Sequence, residues 1–558
     1  MGKIIIYQIF TRLFGNRNTS RIENGTIAEN GCGKFADFDA KTLKAIRQSG
    51  ISHIWYTGII RHATKTDYSR YGIPTQHPAV VKGRAGSPYA ITDYYDVDPD
   101  LATNVDKRMQ EFEALLTRTH KADMKVIIDC VPNHVARQYR SIAKPDGVVD
   151  LGEDDNREAG FDPHNNFYYC PGCHFDPWFP LAIDNLRAYE EFPAKATGND
   201  HFDNRPGQND WYETVKLNYG VDYYAGRIGH FDPIPDTWTK MLDILLFWAA
   251  KGIDGFRCDM AEMVPAEFWA WATAQVREKH PGVIFIGEVY NPAEYRNYIA
   301  SGFDYLYDKV GMYDTMRAVT CGYAPVRSIS QAWQANDDIS DKMLYFLENH
   351  DEQRIASDFF AGDGRKGVPA MIASVLMRSN PFMLYAGEEY GERGMDKEGF
   401  SGCDGRTTIF DYWSIDTLCR AAWNNLNTEE RDLALLHEKV LNLANKEKAA
   451  SEGVFFDVMY VNEHLSRQYV FLRKAGDELL VVAVNFDETA CDIRVNIPAH
   501  AFEYLGLTEK EYPAKELLTG DTAKLTLKTE TPVTLHIGGW NGCVWKARIA
   551  GTGKETKK

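Results

Sequence analysis

Eight short runs rich in β-branched and aromatic residues recur along the first three quarters of the chain, with helical stretches between them. The runs are 4–10, 51–56, 126–129, 255–259, 283–288, 305–307, 344–347 and 382–385, and amphipathic stretches at 104–121, 236–251, 265–279 and 367–378 lie among them. Strands separated by helices pair in parallel, because only a crossover of about a dozen residues or more returns the chain to the same edge. Eight such units point to a (β/α)8 barrel. A doubly wound open sheet produces the same alternation, so periodicity alone leaves both architectures standing.

Two departures from the alternation divide the chain further. Between the third run and the helix near 236 lies a long segment rich in Asp, Asn, Gly, Pro and aromatics, as in His174-Phe175-Asp176-Pro177-Trp178-Phe179. Loops of that length are functional or form small domains of their own. After residue 448 short strand-like runs follow at turn-separated spacing (454–461, 469–472, 479–484, 493–497, 533–537), the pattern of an all-β domain. The expected organisation is a barrel over 1–134 and 232–448, an inserted domain over 135–231, and a C-terminal β-sandwich over 449–558. The last eight residues read as a short polar tail.

Composition removes several classes of function. Lys plus Arg number 62 against 79 Asp plus Glu, a net charge of −17, so the basic patch of a nucleic-acid binder is not expected. The longest apolar run, 244–250, is far too short to span a bilayer. The first strand-like run begins right after Met1-Gly2-Lys3 with no leader ahead of it, and the cysteines look unpaired. The cytoplasm is therefore the expected compartment, with the periplasm as the alternative if a leader was trimmed. Cys130 and Cys258 sit within apolar runs, where thiols behave as small buried hydrophobes. Cys170-Pro171-Gly172-Cys173-His174 spells a haem-attachment motif and half a zinc site, but no second CxxC accompanies it and Pro-Gly is ordinary turn chemistry. A turn is expected there.

The chemistry-bearing residues follow from barrel geometry, which places active groups at the C-terminal ends of the strands. Asp259, Glu288 and Asp351 each end an apolar run. Arg257 shares a strand face with Asp259 and should hold that carboxylate ionised with a lowered pKa. His350 precedes Asp351, and Asn133-His134 follow the third run. Any one acid alone reads best as a helix cap or surface ion pair. Three at equivalent strand ends, two of them flanked by Arg or His, make that reading weak.

Asp129-Cys130-Val131-Pro132-Asn133-His134, Gly255-Phe256-Arg257-Cys258-Asp259, Gly287-Glu288-Val289 and Glu348-Asn349-His350-Asp351 resemble, in order and spacing, four signature stretches of the α-amylase superfamily, glycoside hydrolase family 13. Two further stretches, 88–95 and 387–391, look like family segments before and after them. The resemblance covers about residues 3–540. It implies a catalytic barrel, a domain inserted after strand three, and a C-terminal β-sandwich. Carried over, it makes Asp259 the nucleophile, Glu288 the general acid and base, and Asp351 the transition-state stabiliser. His134 and His350 resemble hydroxyl-binding residues and Tyr89 the platform under the reacting ring, and Arg257 is counted with these three as substrate-binding. Burial and nearby negative charge should raise the pKa of Glu288.

The implied substrate is a starch-like α-glucan or maltooligosaccharide, cleaved through a covalent glycosyl-enzyme. An exo-acting α-glucosidase or a transglycosidase of the same family is the alternative. A non-catalytic glucan-binding relative would have lost an acid, and a metal-dependent barrel hydrolase would need a histidine cluster at a strand end. Where long-chain amylases carry Lys-His after the nucleophile, this chain has Glu262 and Met263, which predicts similar rates on short and long oligosaccharides. No cofactor is expected for the chemistry, and structural calcium is left open. The family's first-loop site corresponds to Gly33-Lys34-Phe35, in a loop with Asn16, Asn18 and Asn24. No metal is expected there: the Lys34 ammonium either substitutes for the cation or is a solvated surface group. A second calcium site, through Asn133, whose counterpart is a ligand in many relatives, is left open.

Overall fold

A computed structural model of the protein describes residues 2–181, 188–529 and 531–549; the polar tail read at 551–558 lies outside them. Strands β1 (Ile5–Phe10), β2 (His53–Thr57), β3 (Lys125–Cys130), β4 (Gly255–Cys258), β5 (Ile284–Gly287), β6 (Tyr305–Tyr307), β7 (Met343–Phe346) and β8 (Phe382–Tyr385) close into one barrel. Each pairs in parallel with its chain neighbours, and β1 closes onto β8 through Ile5–Phe382 to Gln8–Tyr385. Closure decides against the open sheet. It also explains why the runs are continuously apolar: parallel strands are covered on both faces, so all six residues of β1 are buried.

The barrel interior is packed rather than hollow. Ile6, Trp55, Ile127, Ile286, Tyr307, Leu344 with Phe346, and Met383 belong to one inner cluster drawn from seven strands. The eighth, β4, contributes Gly255, where a Cβ would stand 2.6 Å from Ile284 Cγ1, and then Arg257. A charged group thus enters the axis on the one strand whose base is trimmed to glycine. Outside, the helix Asp236–Ala250 turns Trp238, Met241, Leu245 and Trp248 inward, and Trp238 meets Phe268 of the next helix, Ala266–Lys279, edge-on at 5.7 Å.

Among its described residues the segment after β3 holds three short ladders, His134–Ala136 with Thr214–Lys216, Tyr169–Cys170 with Ala194–Lys195, and Val221–Asp222 with Ile228–Gly229. The second of these leads into the CxxC stretch, which is a turn: Cys173 N–H donates to Cys170 O at 3.1 Å and Gly172 has φ +73°. All ten cysteines are free thiols, with Cys130 and Cys258 buried as their apolar context predicts.

Beyond the long helix Thr428–Lys446, which Asn427 and Glu430 cap reciprocally, six antiparallel strands form the main C-terminal sheet, with a two-stranded pair beside it. One of its contacts with the barrel is a buried Arg473, which donates to Leu376 O at 2.9 Å and, within its own part of the chain, to Gly453 O at 2.7 Å. The strand expected over 454–461 stops at Asp457. That carboxylate accepts from Met459 N–H at 2.7 Å and curls the chain into a turn. The strands Lys510–Glu516, Thr522–Leu527 and Asn541–Arg548 were not expected from the sequence. The first alternates charged and buried residues and contains Pro513, which pairs with Lys524 on one side and lies outside the ladder with Asn541–Arg548 on the other.

Candidate active site

The backbone ladders continue one residue past the strands and set the acids in place. Asp259 N–H donates to Cys130 O at 2.8 Å and Glu288 N–H to Cys258 O at 3.1 Å, so neighbouring strand ends present neighbouring carboxylates. Arg257 lies beneath both. Its Nη1 is 2.7 Å from Asp259 Oδ1 and its Nη2 is 2.7 Å from Glu288 Oε2, with Asp129 Oδ1 at 3.6 Å. The guanidinium is 1% exposed and enclosed by the rings of Trp55, Tyr89 and Tyr307 at 5.2–5.5 Å. One buried cation therefore clamps two carboxylates within its own width, at the floor of the barrel mouth.

Glu288 is held at both oxygens. Oε2 also accepts from Met260 N–H at 2.8 Å, and Oε1 from the Tyr290 hydroxyl at 2.5 Å. Met260 reaches it from a left-handed backbone, φ +43°, a costly conformation for a non-glycine residue and one that gathers at functional sites. Asp351 stands on the loop after β7, where Asn349 Oδ1 accepts from the N–H groups of Asp351 and Glu352 at 2.9 Å. His350 Nε2 is 3.0 Å from Asp351 Oδ2 and 2.5 Å from the Tyr89 hydroxyl, and the Tyr89 and His350 rings lie 5.3 Å apart. His134 is buried at the cleft wall, 5.3 Å from the Trp211 ring of the inserted segment.

Asp259, Glu288, Asp351, His134 and Tyr89 all line one cleft of 790 Å³. Arg257 and His350 support it from below. The structure thus brings together every catalytic and sugar-binding residue expected from the sequence. Sequence reasoning missed Tyr290, Met260, Trp211 and Phe179, which line the same cleft. Tyr290 stands two residues after Glu288, and that spacing was the available signal. Trp211 and Phe179 come from the inserted segment, and no local pattern marks them.

The charge balance corrects one expectation. Arg257 does pull Asp259 down, but burial, with Glu288, Asp351 and Asp129 adding negative charge, raises it well above the usual carboxylate range. Burial also pushes Asp351 upward, but His350, Arg257 and Arg406 more than reverse it, and the group ends below its ordinary value. Burial and Lys216 lower His134 to about 3, which leaves it neutral.

Asp129→Asn should therefore shift the acid limb of kcat/KM. Removing that negative charge lets Asp259 ionise at lower pH, so the limb moves to lower pH. A limb that stays in place or moves upward would show that Asp259 does not set it.

The side chains fit neither the Lys34 substitution nor a calcium site at Asn133. In the first loop, Asn16 Nδ2 donates to Asn30 O and Trp413 O, and Asn16 Oδ1 accepts from Asn18 N–H. These groups satisfy one another. Lys34 is not among them, and it is not simply solvated: its ammonium donates to Asp100 O at 2.5 Å. At the second site, Asn133 Oδ1 accepts from the Lys216 ammonium, so a cation would face a buried positive charge. Among the described residues no cluster of three or more His, Cys, Asp or Glu is arranged to hold a metal ion. Glu262 also lies outside the cleft lining and accepts from Tyr290 N–H and Asn291 N–H at 3.1 and 3.0 Å, holding the loop after β5.

A family model described as the alpha amylase catalytic domain matches residues 8–436. Alpha-amylase 3 of Dictyoglomus thermophilum is 25% identical over 393 residues, covering 65% of this chain and 68% of that protein. Alpha-amylase MalA of Haloarcula japonica is 24% identical over 403 residues; the match takes in 70% of this chain but 44% of that protein, so the chain spans less than half of that relative's length. In fold, the chain is similar to the crystal structure of an alpha-amylase from Geobacillus thermoleovorans complexed with acarbose, at a TM-score of 0.65 and 20% identity, covering 98% of this chain and 99% of that one.

Proposed function

The chain belongs to the α-amylase family, and on that footing we propose that its cleft cleaves α-glucosidic bonds of starch-like glucans or maltooligosaccharides with retention of configuration. The observation that carries this is the Arg257 clamp, which ties Asp259 and Glu288 to adjacent nitrogens of one guanidinium while Asp351 lines the same cleft. Two carboxylates that close suit the roughly 5–5.5 Å spacing of retaining glycosidases, in which the nucleophile attacks without an intervening water.

In this reading Asp259 attacks the anomeric carbon through Oδ2, since Oδ1 is tied to Arg257. Glu288 protonates the leaving oxygen, and the resulting carboxylate then takes a proton from water as that water attacks the glycosyl-enzyme. Interacting carboxylates titrate as a set rather than singly. Asp351 and His134 hold ring hydroxyls, and Tyr89 packs under the sugar. These steps use side chains and water, with no cofactor. Among the described residues no helix is long and apolar enough to cross a membrane. We place the enzyme in the cytoplasm, in keeping with its free thiols.

Product analysis on maltoheptaose, pullulan and panose tests the reading. We expect smaller sugars from maltoheptaose, with kcat/KM nearly flat in chain length because Glu262 and Met263 supply no cation beside the leaving group. A steep rise with length means that other residues build those subsites. Products longer than the substrate mean transfer outcompetes hydrolysis, and no turnover of any α-glucan defeats the proposal. Glu288→Gln should lose activity on maltooligosaccharides by about 10³-fold or more but far less on an aryl α-glycoside whose leaving group needs no proton. Equal losses on both would remove Glu288 from the acid role.

A further inference from the structure

Lys216 sits on the short strand Thr214–Lys216, directly across the ladder from His134. Its side chain is 2% exposed, and three oxygens from three separate segments converge on its ammonium. These are Asn133 Oδ1 after β3, Asp200 Oδ1 in the inserted segment at 2.6 Å, and Met263 O after β4 at 3.2 Å. An ammonium has three donors, so the set is filled. The Tyr223 ring, 5.7 Å away, adds a face that favours a cation. Asp200 reaches the group from a left-handed backbone, φ +65°.

The contact continues to the cleft. With Oδ1 turned to Lys216, the Asn133 amide nitrogen donates to Gly198 O at 2.6 Å and lies 3.1 Å from His134 Nδ1. An amide N–H facing Nδ1 leaves the proton of the neutral ring on Nε2. Gly198 fits closely here, for a Cβ would stand 2.8 Å from His134 Cβ.

We propose that Lys216 is a built-in cation at the joint between barrel and inserted segment: it holds Asn133, Asp200 and the Met263 carbonyl together as a divalent metal would, and through Asn133 it sets the tautomer and position of His134. The joint consequently needs no calcium. The effect on His134 as a sugar-binding group rests on the function proposed above, whereas the structural role does not. Lys216 is a positioning residue and touches no substrate.

Thermal unfolding of the full-length protein in EDTA and in millimolar calcium tests this, beside metal analysis and the variants Lys216→Ala and Lys216→Met. The unmodified protein should carry no stoichiometric calcium and melt at the same temperature in both media. Lys216→Ala should melt several degrees lower in EDTA and regain most of the loss in calcium, because deletion opens a site lined by a carboxylate and two neutral oxygens. Lys216→Met should melt lower and ignore calcium, since its side chain fills the space without charge. Its kcat/KM should fall about tenfold or more with an unchanged pH profile, a readout that a failed catalytic residue would not give. Calcium bound by the unmodified protein together with an EDTA-lowered melting temperature overturns the proposal. Melting of both variants like the unmodified protein, or an alanine variant that calcium leaves unmoved, overturns it too. If Lys216→Ala does not fold, the unmodified protein and Lys216→Met still decide the matter. Loss of α-glucan activity in the unmodified protein would refute the functional reading but leave these melting results standing.

Discussion

Asp259→Asn should lower kcat on maltooligosaccharides by about four orders of magnitude or more while leaving a folded protein. The amide keeps the shape of the carboxylate and can still accept from Arg257 Nη1, now 2.7 Å from Oδ1. What disappears is the nucleophile. Because burial and three neighbouring acids raise Asp259, neutralising it relieves repulsion within the set, so the variant should unfold at the same temperature as the unmodified protein or higher. Near-normal turnover in a folded Asp259→Asn protein would remove Asp259 from the chemistry. Loss of the native circular dichroism would mean that the side chain is needed for the fold instead.

Arg257→Leu should be the most destabilising single change at the site. The guanidinium meets Asp259 and Glu288 at 2.7 Å and Asp129 at 3.6 Å inside the barrel. Removing one partner of a buried ion pair leaves uncompensated charge and costs about 3–5 kcal/mol. Here it also leaves three acids facing one another, so the loss belongs at the upper end of that range, and activity should fall by about 10³-fold or more. Arg257→Lys should recover part of the stability but little activity, because a point charge cannot bridge two carboxylates as the planar fork does. Denaturant unfolding and steady-state kinetics on the two variants check this. An Arg257→Leu protein as stable as the unmodified one would mean that the acids are already protonated and the clamp is not electrostatic.

The barrel was legible in the sequence because its strands are buried on both faces, which writes each as an unbroken apolar run such as 4–10 or 344–347. The C-terminal sheet was legible only in part. Its strands Val533–Ile537 and Glu478–Asn485 carry Val, Leu or Ile at buried positions and stand out, whereas Lys510–Glu516 buries Tyr512, Ala514 and Glu516 among Lys, Glu and Pro and reads as a charged loop. The acids could be found because strand ends and motif spacing place them. Their electrostatics could not: Arg257 is a sequence neighbour of Asp259, but Glu288, Asp351 and Asp129 reach it from three other strand ends, and together with burial they reverse the sign. The same limit applies to the cation. Lys34 stands in the motif that matches the family's first-loop site, but the three oxygens converge on Lys216, from residues 133, 200 and 263. Only the fold brings those positions together.

The proposed double displacement by Asp259 and Glu288 is tested most directly by a proton NMR time course of the first product released from an α-linked maltooligosaccharide, recorded faster than the sugar mutarotates. Two successive inversions at the anomeric carbon predict the α-anomer first, with the β-anomer growing in only at the mutarotation rate. Early appearance of the β-anomer would mean a single inversion by a water molecule, and the assignment of Asp259 as nucleophile would be wrong.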